Sequence, residues 1–156
     1  MDQQNNIALR EHLRYLLRGG GAHLGVHEAF SHFPSQLINT RVGNLPYTPW
    51  HVLEHMRIVQ WDILEFSRNK DHISPRFPEG YWPPQSATAD PQRWKQSLEI
   101  FLSELREMEE LVMDSTTELL LPIPHGDGQT ILREALLVAD HNAYHLGALM
   151  TIRKAV

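Results

Sequence analysis

Cysteine is absent from this 156-residue chain, which excludes disulfide bonds, thiolate metal ligands and a cysteine nucleophile. Basic residues are outnumbered: the formal net charge is -5, and lysine and arginine form no cluster. The negative net charge and the lack of a basic cluster both argue against electrostatic capture of nucleic acid or of an anionic membrane surface. No apolar run is long enough to span a bilayer, and MDQQNNIALREHLRYLL does not have the layout of a signal peptide. We therefore expect a cytoplasmic protein that binds neither nucleic acid nor membrane.

Histidine, by contrast, is abundant, with ten in the chain. The hydrophobic fraction of 42% and the charged fraction of 21% are ordinary for a globular protein. The length suits one domain with its own hydrophobic core, so we expect residues 1–156 to form a single domain. The positions of the histidines on predicted secondary structure therefore become the main source of functional information.

Four long segments have the apolar periodicity of helices, whereas no segment is typical of a strand. Their predicted limits are about residues 5–18, 49–68, 91–113 and 130–154. Glycines 19–21 stop the first helix, while Thr48 and Asp90 are N-caps followed by proline. A short segment, Val26–Phe33, adds one or two turns before Pro34. This pattern predicts an all-α protein.

Two long connections, residues 69–89 and 114–129, are rich in proline and glycine. Tyr81 and Trp82 lie in the first, within the tract EGYWPP, and their preference for burial indicates an ordered crossover. We interpret this tract as loop packing in preference to a binding platform. A long crossover between helices two and three allows those helices to run parallel, so we predict a four-helix bundle that is not a simple up-down-up-down one.

Three histidines on two of the predicted helices form the sharpest candidate site. His141 and His145 are four residues apart on the fourth helix, so both imidazoles project from one face. His55 lies at the edge of the apolar stripe of the second helix. If those helices face each other, the three imidazoles make a metal site with coordination positions left open for water or substrate. Neutral imidazoles favour zinc, nickel, copper or iron over magnesium or calcium.

The spacing alone is unspecific, because a histidine beside an apolar face is more often a hydrogen-bonded structural residue. Two other pairs share the spacing, His23 with His27 and His51 with His55. The glycines around the first pair make a regular helix there doubtful. His51 has three possible roles: a fourth ligand, a group that orients a ligand, or a pocket residue.

A complete metal site also needs acceptors that orient the imidazole N–H groups. Asp62 and Glu134 share the faces of the candidate ligands, and we predict them for this role, although either also suits a solvated or bundle-bridging charge. Asn142, near the middle of the apolar arc of the fourth helix, is interpreted as a buried polar group that specifies packing. Tyr144 projects outward on the same helix.

Four stretches together resemble the DinB-like superfamily, the DNA-damage-inducible-type group of four-helix-bundle proteins, which is unrelated to the DNA polymerase of that name. They are LLRGGGAHL, PWHVLEHMRIVQWDILEF, PEGYWPP and REALLVADHNAYHLGALMTIRK. The resemblance spans nearly the whole chain and is strongest in the second and fourth predicted helices. It implies an up-down-down-up course, in agreement with the long crossover, and frequently a homodimer.

The resemblance also implies a site and a chemistry. Many members bind a divalent metal, nickel or zinc among them, through one histidine on the second helix and an HxxxH pair on the fourth. Those positions match His55, His141 and His145 here. Characterised relatives include S-transferases and isomerases that use low-molecular-weight thiols, and others are regarded as metal-dependent hydrolases.

We therefore expect a metal-dependent enzyme that acts on a small molecule by thiol S-transfer or hydrolysis, with zinc or nickel held by His55, His141 and His145. Any thiol must come from outside, since the chain has no cysteine. The alternative is a non-catalytic helical bundle that binds a small ligand or a protein partner, with the metal structural or absent.

Overall fold

Helices are the regular elements of the described residues, 2–19 and 21–155 of this computed structural model, and no strand occurs among them. The α-helices are α1 Gln3–Arg18, α2 Val26–Phe30, α3 Pro49–Arg68, α4 Pro91–Met113 and α5 Ile131–Lys154. Single 3₁₀ turns occur at Ser35–Leu37 and Glu79–Tyr81. The all-α prediction is therefore confirmed. None of the described helices combines the length and the apolar character needed to cross a bilayer.

Polar caps set the beginnings of the long helices, and the sequence predicts two of them, Thr48 and Asp90. The side chains of Thr48, Asp90 and Thr130 accept hydrogen bonds from backbone N–H groups three residues on. Asp2 does the same for α1, which is why α1 begins at Gln3, two residues earlier than predicted. At the other end Gly19 has φ +67°, a conformation that glycine adopts at little cost, and α1 stops there. Gly20 lies outside the described residues.

Packing places α3 and α5 side by side. The helix α3 contacts both α4 and α5, α1 contacts the same two helices, and the short α2 rests on α5. Fully buried side chains from several helices fill the space between them; among the largest are Trp50, Leu53, Met56, Phe101, Met108 and Leu149. The faces of α3 and α5 that carry the candidate ligands are therefore turned toward each other.

A buried chain of amides ties α5 to α3 and α4. Asn142 Nδ2 donates to Gln60 Oε1 at 3.0 Å, and Gln60 Nε2 donates to the carbonyl of Phe101 at 2.7 Å. All three residues are essentially inaccessible to solvent, where an unpaired amide would be costly. The predicted burial of Asn142 is confirmed. Its Nδ2 joins α5 to α3 through Gln60, whereas its Oδ1 has no hydrogen-bond partner among the described residues.

Candidate metal centre

The structure brings together the three histidines that the sequence singled out. His55 projects from α3, and His141 and His145 project from α5 one turn apart. One ring nitrogen of each lies within 4.8 Å of the others. The closest approach, between Nε2 of His55 and Nε2 of His141, is 3.1 Å. His55 and His145 are buried and His141 is partly buried, so a cluster of nitrogen donors sits between the two helices.

The ring of His55 is held by the crossover that follows α3. Its Nδ1 lies 2.7 Å from the carbonyl oxygen of Tyr81. A carbonyl only accepts hydrogen bonds, so Nδ1 carries the proton and Nε2 keeps the lone pair. The ring also stacks on the indole of Trp82, with centroids 3.8 Å apart and planes 6° from parallel. His55 therefore presents Nε2 to the cluster in a fixed orientation.

Burial keeps the imidazoles neutral. Burial, and after it the neighbouring rings of His145 and His55, lower the pKa of His141 to about 3. Burial likewise lowers the pKa of His145 to about 4, with His55 as the lesser cause. Burial also lowers the pKa of His55, although the bond to the Tyr81 carbonyl opposes this. At neutral pH all three side chains are in the unprotonated form that binds metals.

This donor set fits a first-row transition metal. Two nitrogens bound to the same zinc ion can be at most about 4.2 Å apart, twice the usual Zn–N length. The His55–His141 pair, at 3.1 Å, lies within that limit, and all three nitrogens lie within 4.8 Å of one another. Nδ1 of His141 is buried and has no hydrogen-bond partner among the described residues, so this ring, unlike that of His55, is not oriented by a protein acceptor. Three neutral imidazoles suit zinc, nickel, copper or iron and are poor ligands for magnesium or calcium.

Of the two carboxylates predicted to orient the ligands, one acts indirectly and the other lies elsewhere. Asp62 accepts hydrogen bonds from the Tyr81 hydroxyl and from His72 Nε2, each at 2.7 Å. Asp62 therefore fixes the position of Tyr81, and the carbonyl of Tyr81 in turn orients the ring of His55. Glu134 is buried and paired with Arg133, so its predicted contact with the histidines is wrong.

The question left open for His51 is answered by its two ring nitrogens. Nδ1 lies 2.6 Å from the hydroxyl of Thr48, and Nε2 lies 3.1 Å from the carbonyl of Pro84. Both nitrogens are therefore committed to protein groups, and His51 joins the start of α3 to the crossover. The other pair with this spacing, His23 and His27, does not lie on one helix. His27 is on α2, whereas His23 precedes that helix and is bonded to the carbonyl of Leu24.

An open cleft of about 640 Å³ leads to the histidines. This volume is in the range that accommodates small organic ligands. Besides the three histidines, its walls are formed by Tyr47, Val59, Phe77, Pro78, Tyr81, Trp82, Leu137, Asp140 and Tyr144. The cluster is therefore reachable by a small molecule from outside.

Sequence reasoning missed the part of the crossover that builds this cleft. The tract EGYWPP was interpreted as loop packing, yet Tyr81 orients His55 and Trp82 stacks on it. The available signal was two adjacent aromatic residues between prolines in a long connection. That pattern predicts an ordered loop but not which face of the helices the loop covers.

No protein-family model, no curated protein and no solved structure matches this chain.

Proposed function

We propose that the chain is a metal-dependent enzyme of the DinB-like kind, in which His55, His141 and His145 hold a divalent transition metal, zinc or nickel. The observation that carries the proposal is the convergence of three neutral imidazole groups at the base of a cleft open to small molecules. When bound, such a metal acts as a Lewis acid that lowers the pKa of a water or thiol, or polarises a substrate oxygen or sulfur. S-transfer and hydrolysis are the two reactions this supports.

The protein supplies orientation and a restricted environment. Tyr81 holds the lone pair of His55 Nε2 toward the other two rings, and Trp82 covers one face of His55. A thiol substrate would enter through the cleft, because the chain has no cysteine of its own.

The proposal extends to the architecture. We propose that α1, α3, α4 and α5 form a four-helix bundle with an up-down-down-up course, with residues 69–90 as the crossover. The contacts of α3 and α1 with both α4 and α5 support this arrangement. The homodimer expected from the resemblance is also proposed.

Metal analysis of untagged protein purified without chelator tests the function. We expect a transition metal bound in a ratio of about one ion per chain, its removal by a chelator, and its recovery on adding zinc or nickel. Loaded protein should then turn over a member of a panel of small thiols with electrophiles, or of esters and amides. Failure of the protein to take up any transition metal would refute the proposed metal-dependent enzyme function. Metal that only raises the melting temperature, without turnover, would favour the non-catalytic bundle.

The Tyr81→Phe variant tests the support of His55. The variant loses the hydroxyl that donates to Asp62, while its backbone carbonyl remains. Burial and the bond to Asp62 raise the pKa of Tyr81 to about 12, so the native hydroxyl stays protonated and donates. We expect about a tenfold loss of zinc affinity in competition with a chromophoric chelator, as for other groups that orient a ligand.

Tyr144→Phe is the matched control for this change, because Tyr144 lines the same cleft but is 74% exposed. Its zinc affinity should equal that of the native protein. Equal affinities for Tyr81→Phe and the native chain would mean that the hydrogen bond between the Tyr81 hydroxyl and Asp62 does not support the site.

A further inference from the structure

Aromatic rings dominate the walls of the histidine cleft, and a carboxylate is the charged group among them. Five of the lining residues are aromatic: Tyr47, Phe77, Tyr81, Trp82 and Tyr144. Asp140 is the acidic residue of the lining, and no lysine or arginine lines the cleft within the described part of the chain. Asp140 directly precedes His141 on α5 and is exposed. Its charge therefore stands beside the proposed metal ligands.

Such walls disfavour a negatively charged substituent on a ligand. A carboxylate placed against them, away from the metal proposed to bind the histidines, would lose hydration without gaining a cationic side chain as a partner, which is costly. It would also be repelled by Asp140. Arg76 precedes the lining residue Phe77, but its side chain is 90% exposed and its Nε lies 4.0 Å from a carboxylate oxygen of Glu79. This arginine is thus turned to solvent and adds no positive charge to the walls of the cleft.

The same walls accept neutral and positively charged groups. The faces of tyrosine and tryptophan rings attract ammonium groups, and apolar bodies gain from contact with the rings. The overall net charge of -5 acts in the same direction. A ligand can therefore place one polar head on the histidines and an aromatic, uncharged or cationic body along the walls.

We propose that the cleft selects small aromatic or apolar substrates whose body, beyond the group that reaches the histidines, is uncharged or positively charged, and that Asp140 sets this preference. The inference rests on the proposed function, since it assigns the substrate class of the same site. It excludes thiols and electrophiles whose bodies carry carboxylates.

Three probes with a common head test the charge preference: phenylimidazole, its para-carboxylate and its para-aminomethyl derivative. Each presents an imidazole to the metal, and the rigid ring prevents chelation by the substituent. Titration calorimetry on the zinc-loaded full chain at neutral pH should give dissociation constants for the neutral and cationic probes that are at least about tenfold lower than for the carboxylate.

The Asp140→Asn variant should bind the cationic probe more weakly and the carboxylate probe more tightly. Each dissociation constant should change by about two- to fivefold, the size of one exposed charge interaction. The neutral probe should not change. Asp127→Asn is the matched control, because it removes one exposed carboxylate that does not line the cleft. All three probes should bind this control as they bind the native chain.

Carboxylate binding as tight as that of the neutral probe would overturn the proposal, as would an Asp140→Asn variant that matches the native chain for all three probes. Failure to take up zinc would refute the proposed function alone. The probe ranking is then measured on the metal-free chain by NMR of the tryptophan indoles: the same ranking supports the charge preference, and absence of binding overturns it.

Discussion

His141→Asn is expected to lower zinc affinity by at least about a hundredfold, a larger loss than groups outside the ligand set cause. The variant removes the ring whose Nε2 lies closest to that of His55. Two histidines then remain, and asparagine is too short and too weak a donor to replace the imidazole of His141. Competition with a chromophoric chelator, together with metal analysis after gel filtration, measures the loss.

The control for this variant is His12→Asn. His12 is an exposed histidine on α1, so its removal should leave metal content and affinity unchanged. Circular dichroism should show native helix content for both variants, because the hydrogen bond of Asn142 to Gln60 still joins α5 to α3. Native zinc affinity in His141→Asn would contradict the three-histidine centre, whatever the activity assays show.

Arg10→Met is expected to destabilise the fold by about 3 kcal/mol or more, the largest effect on stability that we expect from one polar side chain. Arg10 is 6% exposed. Its guanidinium donates to the carbonyls of Val112, Asp114 and Thr117 at 2.6, 2.7 and 2.7 Å. These are carbonyls at and beyond the C-terminal end of α4, which lack partners within the helix.

Methionine keeps much of the aliphatic volume of Arg10 but makes none of these bonds, so the carbonyls lose a charged donor in a buried place. Urea unfolding followed by circular dichroism measures the change. Arg14→Met, one turn further along α1, is the control: Arg14 is partly exposed and pairs with Glu11 on the same helix, and such pairs contribute little. A loss for Arg10→Met as small as that for Arg14→Met would show that these bonds do not hold α1 to α4.

Much of the secondary structure was predictable because its signals are local. Thr48, Asp90 and Thr130 cap their helices through bonds that reach only three residues, and the proline after two of them suits the first turn. The start of α1 was misplaced by two residues because Asp2 was not recognised as a cap. The short helix α2 ends at Phe30, before the predicted limit of Phe33.

The candidate site was predictable only in its outline. Adjacent turns of one helix place His141 and His145 on the same face, and this follows from helical geometry alone. The choice of His55 over His51 required the apolar stripe of α3 and the family resemblance. The groups that orient the histidines could not be predicted from the sequence. Glu134 was expected near the ligands but pairs with Arg133, and Tyr81 was not expected near them.

By itself, then, the amino-acid sequence determined the all-α class, the helix caps Thr48 and Asp90, the absence of thiol ligands and the pair of imidazoles on α5. Tertiary structure decided that both ring nitrogens of His51 bond to Thr48 and Pro84. It also decided that His55 faces α5, and that Tyr81 and Trp82 of the crossover contact the ring of His55. The physical reason is the separation along the chain of the residues that interact. Caps and helical faces depend on residues three or four apart, whereas the contact of Tyr81 with His55 joins positions 26 apart and exists only after α3, the crossover and α5 have packed together.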